Sequence, residues 1–313
     1  MKDIHLKGVV PAVILPMSAD YKPDYTSFAQ YLEWIIAEDA TAIAVNMDTG
    51  EGPQLNAAER RKAVETAVRV AKGRVPIVAG VMGGSTLDAV DTARAYQEAG
   101  ADGLVVFPNA AFRNEPLDPQ VTYSYHKAIA DASGLPIILF QLAPVFGGVN
   151  FSREVLLRML EIPEVVAIKE ASFDAQYFSF TKQTLEMAGR EITLLTGNDR
   201  FILESFLLGA EGALLGFCAV GCGMVAKMLS NYQQGKVAEA VAMRPLVQGF
   251  ADFIYQDPVL DYRARCKAAL AQLGVIDRSL IHVRPPMLDV SDAMYDQIGK
   301  ALQQAGMLPV AAA

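Results

Sequence analysis

The sequence predicts a (β/α)8 barrel, or TIM barrel, followed by a C-terminal helical appendage. Eight short apolar segments alternate along the chain with amphipathic stretches that are long enough for a helix. The apolar segments lack a polar face, as expected for parallel strands covered by helices on one side and by the barrel interior on the other. The predicted strands are residues 9–15, 42–47, 76–81, 103–107, 136–140, 165–169, 192–196 and 213–217.

The amphipathic stretches between these segments are the predicted barrel helices. They cover residues 25–39, 57–72, 86–99, 119–133, 153–161, 177–189 and 200–208. A doubly wound sheet is the alternative, and it would predict a glycine-rich dinucleotide turn after an early strand. No such turn follows residues 9–15 or 42–47. The barrel is therefore the favoured fold.

Beyond the eighth segment the pattern becomes helical. Four further helices are predicted at residues 224–234, 237–255, 262–273 and 291–306. We therefore expect a catalytic barrel domain over residues 1–222 and a helical region over residues 223–313. Because no low-complexity linker separates the two, the helical region should pack on the barrel.

Composition and charge favour a small-molecule role. The 313 residues carry a formal net charge of −8 with no run of Lys or Arg, which disfavours a nucleic acid or an anionic membrane as partner. No segment approaches the roughly 20 apolar residues of a membrane helix. Cys218, Cys222 and Cys266 are too few for a disulfide framework and are expected to be buried and free. A cytoplasmic location is expected.

One lysine stands at the end of a predicted buried strand. Residues 165–171 read Val-Val-Ala-Ile-Lys-Glu-Ala, so an apolar, β-branched run ends at Lys169. Desolvation lowers the pKa of an ammonium at such a position, and the neutral amine is a nucleophile for a carbonyl group. The alternative is a lysine that simply extends into water.

Other polar groups follow the predicted strands at the same end of the barrel, where TIM-barrel active sites lie. The turn Asp-Thr-Gly-Glu at 48–51 offers a hydroxyl and backbone N–H groups suited to a carboxylate, or else is a plain loop. The segment Thr-Gly-Asn-Asp at 196–199 precedes a helix, which it could simply cap. The three histidines have no paired spacing, so neither a metal site nor a histidine-based triad is expected.

Four of these segments carry a resemblance to a known family. The motifs at 48–51, 168–171, 196–199 and 209–213 occur in the order and spacing of the dihydrodipicolinate synthase and N-acetylneuraminate lyase family, and residues 11–17 look like its first strand. The resemblance covers essentially the whole chain. It implies a class I aldolase-type mechanism on a barrel with a helical appendage, in a homo-oligomer, dimer or tetramer. It implies no metal or organic cofactor.

The resemblance also implies roles for individual residues. Lys169 matches the lysine that forms a Schiff base with the keto carbon of pyruvate or a related 2-oxo acid, whose protonated imine acts as an electron sink. Thr49, next to Gly50 in the same turn, matches the threonine that holds the substrate carboxylate. Leu214 matches an apolar residue whose backbone faces the oxo acid.

In the sialic-acid branch of the family, the positions matching Gly197 and Asp199 hold the polyhydroxyl tail. Arg200, the next residue, is a further candidate contact for an anionic group on the second substrate. The alternative for Arg200 is a solvated residue of the following helix.

The chain also departs from the family pattern. Phe140 replaces the tyrosine whose hydroxyl shuttles the proton, Asp48 replaces the first threonine, and Asn109-Ala110 replaces a tyrosine pair. The usual arginine is absent from residues 144–148. A missing general acid–base group costs about 10²- to 10⁴-fold in rate.

We therefore expect an enzyme other than a true dihydrodipicolinate synthase, in which Asp48 replaces the proton shuttle. An ordered water or Tyr123 is the alternative, and Asp48 could instead only stabilise its turn. The predicted protein is a Schiff-base lyase or aldolase whose partner is a small-molecule 2-oxo acid. The alternatives are a hydratase or dehydratase that uses the same imine, and a non-catalytic oxo-acid-binding protein.

Overall fold

A computed structural model describes residues 4–113 and 116–309. Within these residues, eight parallel strands form one sheet in the order β1-β8-β7-β6-β5-β4-β3-β2. A parallel bridge between Ala12 and Ala44 joins the two ends of this order, so the sheet is nearly closed. The strands are β1 (Val9–Pro11), β2 (Ile43–Val45), β3 (Ile77–Val81), β4 (Gly103–Val106), β5 (Ile137–Leu142), β6 (Val165–Ala171), β7 (Thr193–Thr196) and β8 (Gly212–Leu215). The predicted TIM barrel is confirmed.

Each strand is followed by a helix. Seven of these helices were predicted between strands, whereas the eighth contains most of the helix predicted at residues 224–234 as part of the C-terminal region. The helices are α1 (Tyr25–Ala37), α2 (Ala57–Ala71), α3 (Thr86–Glu98), α4 (Pro119–Ser133), α5 (Arg153–Met159), α6 (Ala175–Glu186), α7 (Ile202–Leu207) and α8 (Cys218–Gln233). Side-chain caps fix where several of them begin. Asn56 and Ser85 each form a capping box at the start of α2 and α3, which satisfies backbone N–H groups that have no partner within the helix.

The strand boundaries differ from the predicted ones in a way that affects the site. The ladder of β1 ends at Pro11, although the predicted strand continues to residue 15 through residues that are buried. In contrast, β5 and β6 extend two residues beyond their predicted ends, to Leu142 and Ala171. Phe140 and Lys169 therefore lie within paired strands, where the ladder fixes their backbones.

Alternation along the strands divides the core into two layers. Ile168 belongs to the layer between sheet and helices, whereas Ala167 and Ala171 belong to the layer inside the barrel. Because side chains alternate along a strand, Lys169 is on the same face as these two alanines and lies inside the barrel at its carboxyl end.

The C-terminal region adds α9 (Val237–Ile254), α10 (Tyr262–Gln272) and α11 (Asp292–Gln304). Helix α10 is buried over Tyr262–Leu270, and its three charged side chains in this range are hydrogen-bonded. Lys267 pairs with Glu51 of the turn after β2 and donates to the backbone carbonyl of His282. This buried ion pair ties α10 to the carboxyl end of the barrel. The division at residue 222 stays a prediction.

No helix in the described part of the chain is long and apolar enough to cross a membrane.

Candidate active site

A cavity of about 110 Å³ lies at the carboxyl end of the barrel. Its wall combines strand ends with the link between α9 and α10. The lining residues are Met47, Asp48, Thr49, Phe140, Leu142, Phe146, Lys169, Ala171, Phe173, Gly197, Asp199, Gly216, Tyr255, Val259, Leu260, Tyr262 and Arg263. Six of the eight predicted site residues are therefore on this wall, and they come from four segments that are distant from one another in sequence.

Lys169 is buried in the wall with its ammonium against an aromatic ring. Its Nζ lies 4.2 Å from the centroid of the Phe140 ring. Burial lowers the pKa of Lys169 to about 8, although the negative charges of Asp199 and Asp48 oppose the shift. With that pKa, about one-tenth of the amines are neutral at pH 7. The strand end thus presents a nucleophile to the cavity.

Glu170, the next residue, is on the opposite face and supports the strand end. Its carboxylate accepts hydrogen bonds from Gln141 Nε2 at 3.2 Å, Asn198 Nδ2 at 2.7 Å and the backbone N–H of Ser172 at 3.1 Å. Burial raises the pKa of Glu170, which these donors oppose. The polar network holds β5, β6 and the segment after β7 together around Lys169.

The segment 196–199 does not cap a helix. Helix α7 begins at Ile202, and its N-cap residue, Phe201, makes no side-chain capping bond. Instead Asn198 bonds inward to Glu170, and its Oδ1 accepts from the backbone N–H of Phe173 at 2.7 Å. The capping alternative was therefore wrong, because these side chains join neighbouring strands.

Asp199 and Gly197 lie beside the lysine. Asp199 Oδ1 accepts from the backbone N–H of Phe217 at 2.8 Å, and burial raises the pKa of this carboxyl to about 6, although the Lys169 charge opposes the shift. Gly197 has no room for a side chain. A Cβ there would lie 2.8 Å from both Lys169 Cε and Ala171 Cβ. Glycine at this position therefore lets the lysine side chain pass along the wall.

In the turn after β2, a side-chain hydroxyl faces the cavity and a backbone N–H is used within the turn. Thr49 Oγ1 faces the cavity and lies 3.3 Å from the hydroxyl of Tyr262. Gly50 is buried behind the wall, and its N–H donates to the carbonyl of Met47 at 3.1 Å. Of these two groups of the turn, the Thr49 hydroxyl faces the cavity and the Gly50 N–H does not.

Asp48 is held by an arginine that the sequence did not reveal. Arg263 Nε donates to the Asp48 carbonyl at 2.6 Å, and Arg263 Nη2 lies 3.6 Å from Asp48 Oδ1. Arg263 is buried on the cavity wall. A cation therefore lies beside the carboxylate that replaces the family threonine.

Three residues named from the sequence lie away from the cavity. Leu214 is packed inside the barrel core, and Gly216 is the residue after β8 that lines the wall. Tyr123 lies on α4 under the Arg158 guanidinium, 3.9 Å from its ring centroid. Arg200 donates to the carbonyl of Tyr255 at 3.0 Å. None of these three side chains faces the Lys169 amine.

Two tyrosines of the C-terminal region complete the wall. The rings of Tyr255 and Tyr262 are stacked, with centroids 4.6 Å apart and planes inclined by 15°. Both are buried, and burial raises the pKa of each hydroxyl. Neither was predicted, since they follow no strand. The one available signal was the mixed composition of α10, which has no separate polar face.

The described residues contain no group of three or more His, Cys, Asp and Glu side chains placed to hold a metal ion.

A TIM barrel with a desolvated lysine at the carboxyl end of its sixth strand defines an enzyme of the class I aldolase type. Residues 5–305 match the profile of the Dihydrodipicolinate synthetase family, and the chain belongs to this family. Its members are lyases of that class, which favours an enzyme over the oxo-acid-binding alternative.

Individual relatives are similar over their full lengths. The 4-hydroxy-tetrahydrodipicolinate synthase of Gluconacetobacter diazotrophicus is 27% identical over 308 residues, covering 98% of this chain and 100% of the relative. The dihydrodipicolinate synthase of Acinetobacter baumannii, complexed with pyruvate, has a TM-score of 0.84 at 25% identity, with 97% and 100% covered. The E. coli K12 prophage protein YagE, also in complex with pyruvate, has a TM-score of 0.87 at 22% identity, with 96% and 99% covered.

Proposed function

We propose that this protein is a Schiff-base-forming lyase or aldolase that acts on pyruvate or a related 2-oxo acid through Lys169. The observation that carries the proposal is the amine itself, buried in a cavity wall with its pKa lowered to about 8. A cavity that only bound an anion would gain little from a desolvated amine, whereas a nucleophile depends on it.

The rest of the wall supports the orientation of such a substrate. In this proposal the Thr49 hydroxyl, which lines the same cavity, receives the carboxylate of an oxo acid whose keto carbon approaches Lys169. The pyruvate bound to the Acinetobacter enzyme and to YagE is an oxo acid of this kind. The protonated imine is the electron sink of the reaction, and no metal or organic cofactor is needed in this proposal.

The outer wall favours an apolar substituent or second substrate. It is formed mainly by Leu142, Phe146, Phe173, Val259 and Leu260. Phe146 and Phe173 contact edge to face, with centroids 5.3 Å apart. Such a surface gains free energy by burying apolar groups and offers a second carboxylate few donors other than Arg263. Together with Phe140, it argues against dihydrodipicolinate synthase as the activity.

Borohydride trapping tests the proposal. The protein is incubated with pyruvate, phenylpyruvate or 2-oxoglutarate and reduced, and its intact mass and peptides are measured. We expect one substrate mass on the peptide that holds Lys169. Labelling should reach half its maximum at a lower concentration of phenylpyruvate than of 2-oxoglutarate. Lys169→Ala should abolish the adduct, and Lys227→Ala, at an exposed lysine of α8, should not.

An adduct that persists in Lys169→Ala would remove the assignment. Release of water from a hydroxylated 2-oxo acid, without cleavage of a carbon–carbon bond, would favour the dehydratase alternative that uses the same imine. The expected homo-oligomer is measured separately by light scattering.

A further inference from the structure

Phe140 leaves the Lys169 amine without a neighbouring hydroxyl from β5. The ring packs against the amine at 4.2 Å from its centroid and offers no exchangeable proton. Imine formation nevertheless requires a donor, because the keto oxygen must leave as water. The hydroxyl groups on the cavity wall belong to Thr49, Tyr255 and Tyr262.

Of these three hydroxyls, that of Tyr255 is linked to the lysine through a carboxylate. Tyr255 follows α9, and its hydroxyl reaches the residue after β8, where a Cβ on Gly216 would lie 2.1 Å from it. The same hydroxyl is within hydrogen-bonding reach of the Asp199 carboxylate. Asp199 in turn interacts electrostatically with Lys169.

The second tyrosine has a different partner. Tyr262 stacks on Tyr255, but its hydroxyl lies beside Thr49 Oγ1, the group placed for the substrate carboxylate. The stack therefore supports one face of the Tyr255 ring. The Tyr262 hydroxyl contacts Thr49, whereas the Tyr255 hydroxyl contacts Asp199. Asp48, expected from the sequence as the proton shuttle, is held by Arg263 and carries no hydroxyl.

We infer that Asp199 and Tyr255 form the proton-transfer pair of imine formation and supply the hydroxyl that Phe140 lacks. This inference rests on the proposed function of Lys169. The protonation states fit the two roles. Burial and the nearby carboxylate raise the pKa of Tyr255 well above its usual value, so it keeps its proton, whereas Asp199, with a pKa of about 6, is mostly ionised at pH 7.

In this scheme Asp199 takes one proton from the Lys169 ammonium. The free amine forms the C–N bond to the keto carbon as the carbonyl π electrons move to oxygen, and a second nitrogen proton moves to that oxygen to give a neutral carbinolamine. Tyr255 donates its proton to the carbinolamine hydroxyl, which leaves as water while the nitrogen lone pair forms the C=N bond. The proton on Asp199 then passes to Tyr255 and restores the pair, leaving a protonated imine.

Tyr255→Phe tests the pair, because it removes one oxygen and keeps the ring stack. The rate of imine formation with pyruvate is followed by borohydride quenching at timed intervals. We expect a fall of about 10²-fold or more, within the range of general acid–base catalysis. Tyr232→Phe, on α8 where its ring stacks on Phe206, is the matched control and should react at the wild-type rate.

Rescue separates a chemical role from a structural one. Phe140→Tyr added to Tyr255→Phe places a hydroxyl over the imine from β5 and should restore at least tenfold of the lost rate. The rate of imine formation should fall in Asp199→Asn by about as much as in Tyr255→Phe. If Tyr255→Phe does not fold, the Asp199→Asn rate tests the pair in its place.

Each failure has a distinct meaning. A Tyr255→Phe rate within threefold of wild type, with the adduct still on Lys169, would overturn the proton-transfer pair and leave the proposed function intact. The absence of any adduct in the wild-type protein would overturn the proposed function and this inference with it.

Discussion

The hydroxyl of Thr49 lies 3.3 Å from the hydroxyl of Tyr262. The contact joins the turn after β2 to the start of α10, two segments that are separated by most of the chain. One contact with Tyr262 leaves the Thr49 hydroxyl two further hydrogen-bonding positions for a group bound in the cavity.

Thr49→Val should weaken the binding of 2-oxo acids. The substitution keeps the shape of the side chain but leaves the Tyr262 hydroxyl and the substrate carboxylate without a partner, at a cost of about 1–3 kcal/mol, or about five- to 150-fold in affinity. Calorimetry with pyruvate measures the change, best on the Lys169→Ala background so that no covalent step contributes. Thr26→Val, at an exposed position of α1, is the control. An unchanged Kd for Thr49→Val would place the carboxylate elsewhere.

Lys169→Met should stabilise the fold at neutral pH. The Lys169 pKa is about 8 in the folded protein against an ordinary value of 10.5, so the unfolded chain binds more protons between these values. Protonation of Lys169 therefore costs the folded state free energy, and the free energy of unfolding rises as pH rises from 8 through 10.5. We expect a gain on the order of 1–3 kcal/mol at pH 7, and a smaller one near pH 10. Denaturant unfolding measures both. Lys227→Met, at an exposed lysine, is the control and should change stability by less than about 0.5 kcal/mol. A destabilised Lys169→Met at pH 7 would contradict the prediction.

The pH profile of imine formation should contain a limb that belongs to Asp199. Its carboxyl, with a pKa of about 6, must be ionised to accept a proton, so the rate rises as pH rises through that value. The titratable groups that face it are Lys169 on β6, Tyr255 after α9, Cys218 on α8 and Cys266 on α10. The thiols and the phenol have raised pKa values and stay neutral near pH 6.

Asp199→Asn removes this carboxylate at constant volume. The limb near pH 6 should disappear from the profile of timed borohydride trapping, whereas the Lys169 limb should remain but move below pH 8, because the Asp199 charge no longer raises the Lys169 pKa. Persistence of the lower limb in Asp199→Asn would assign it to another group and overturn the role of Asp199. Asp48→Asn, at the other carboxylate of the cavity wall, is measured alongside.

The buried pair of Glu51 and Lys267 should show a large penalty when one partner is removed. Both side chains are fully buried, and the Glu51 carboxylate also accepts from the backbone N–H of Arg284 at 2.7 Å. Lys267→Met leaves an uncompensated buried charge, for which about 3–5 kcal/mol of destabilisation is expected. Glu51→Gln in the same chain should recover part of this loss in denaturant unfolding.

The exposed pair of Arg278 and Asp292 is the control for that comparison. Because water screens such pairs, Arg278→Met should cost less than about 1 kcal/mol. Equal losses for Lys267→Met and Arg278→Met would show that the buried pair does not anchor α10.

Much of this architecture could be predicted because its signals are local. Eight apolar runs of strand length identified the barrel, and the position of Lys169 at the end of one run identified the amine, since burial of the run dictates burial of the lysine. The boundaries were less accurate. The ends of the strands depend on hydrogen bonds to neighbouring strands, which no single segment encodes. These bonds continue to Ala171 in β6 and end at Pro11 in β1.

The other wall of the cavity had no local signal. Tyr255, Tyr262 and Arg263 follow no strand, and their place at the cavity depends on how α9 and α10 pack against the barrel end. Gly50 was expected to offer its N–H to a ligand, but the hydrogen bond of that group to Met47 depends on the exact shape of the turn. Residues on strands were predictable, whereas those brought in by helix packing were not.

Residues 255–263 complete the cavity wall, and they are synthesised after Lys169. Lys169 leaves the ribosome well before this segment, so a nascent barrel that ends before residue 255 holds the amine without Tyr255, Tyr262 and Arg263. The wall that positions a substrate against the lysine is complete only when the segment between α9 and α10 has docked on the barrel.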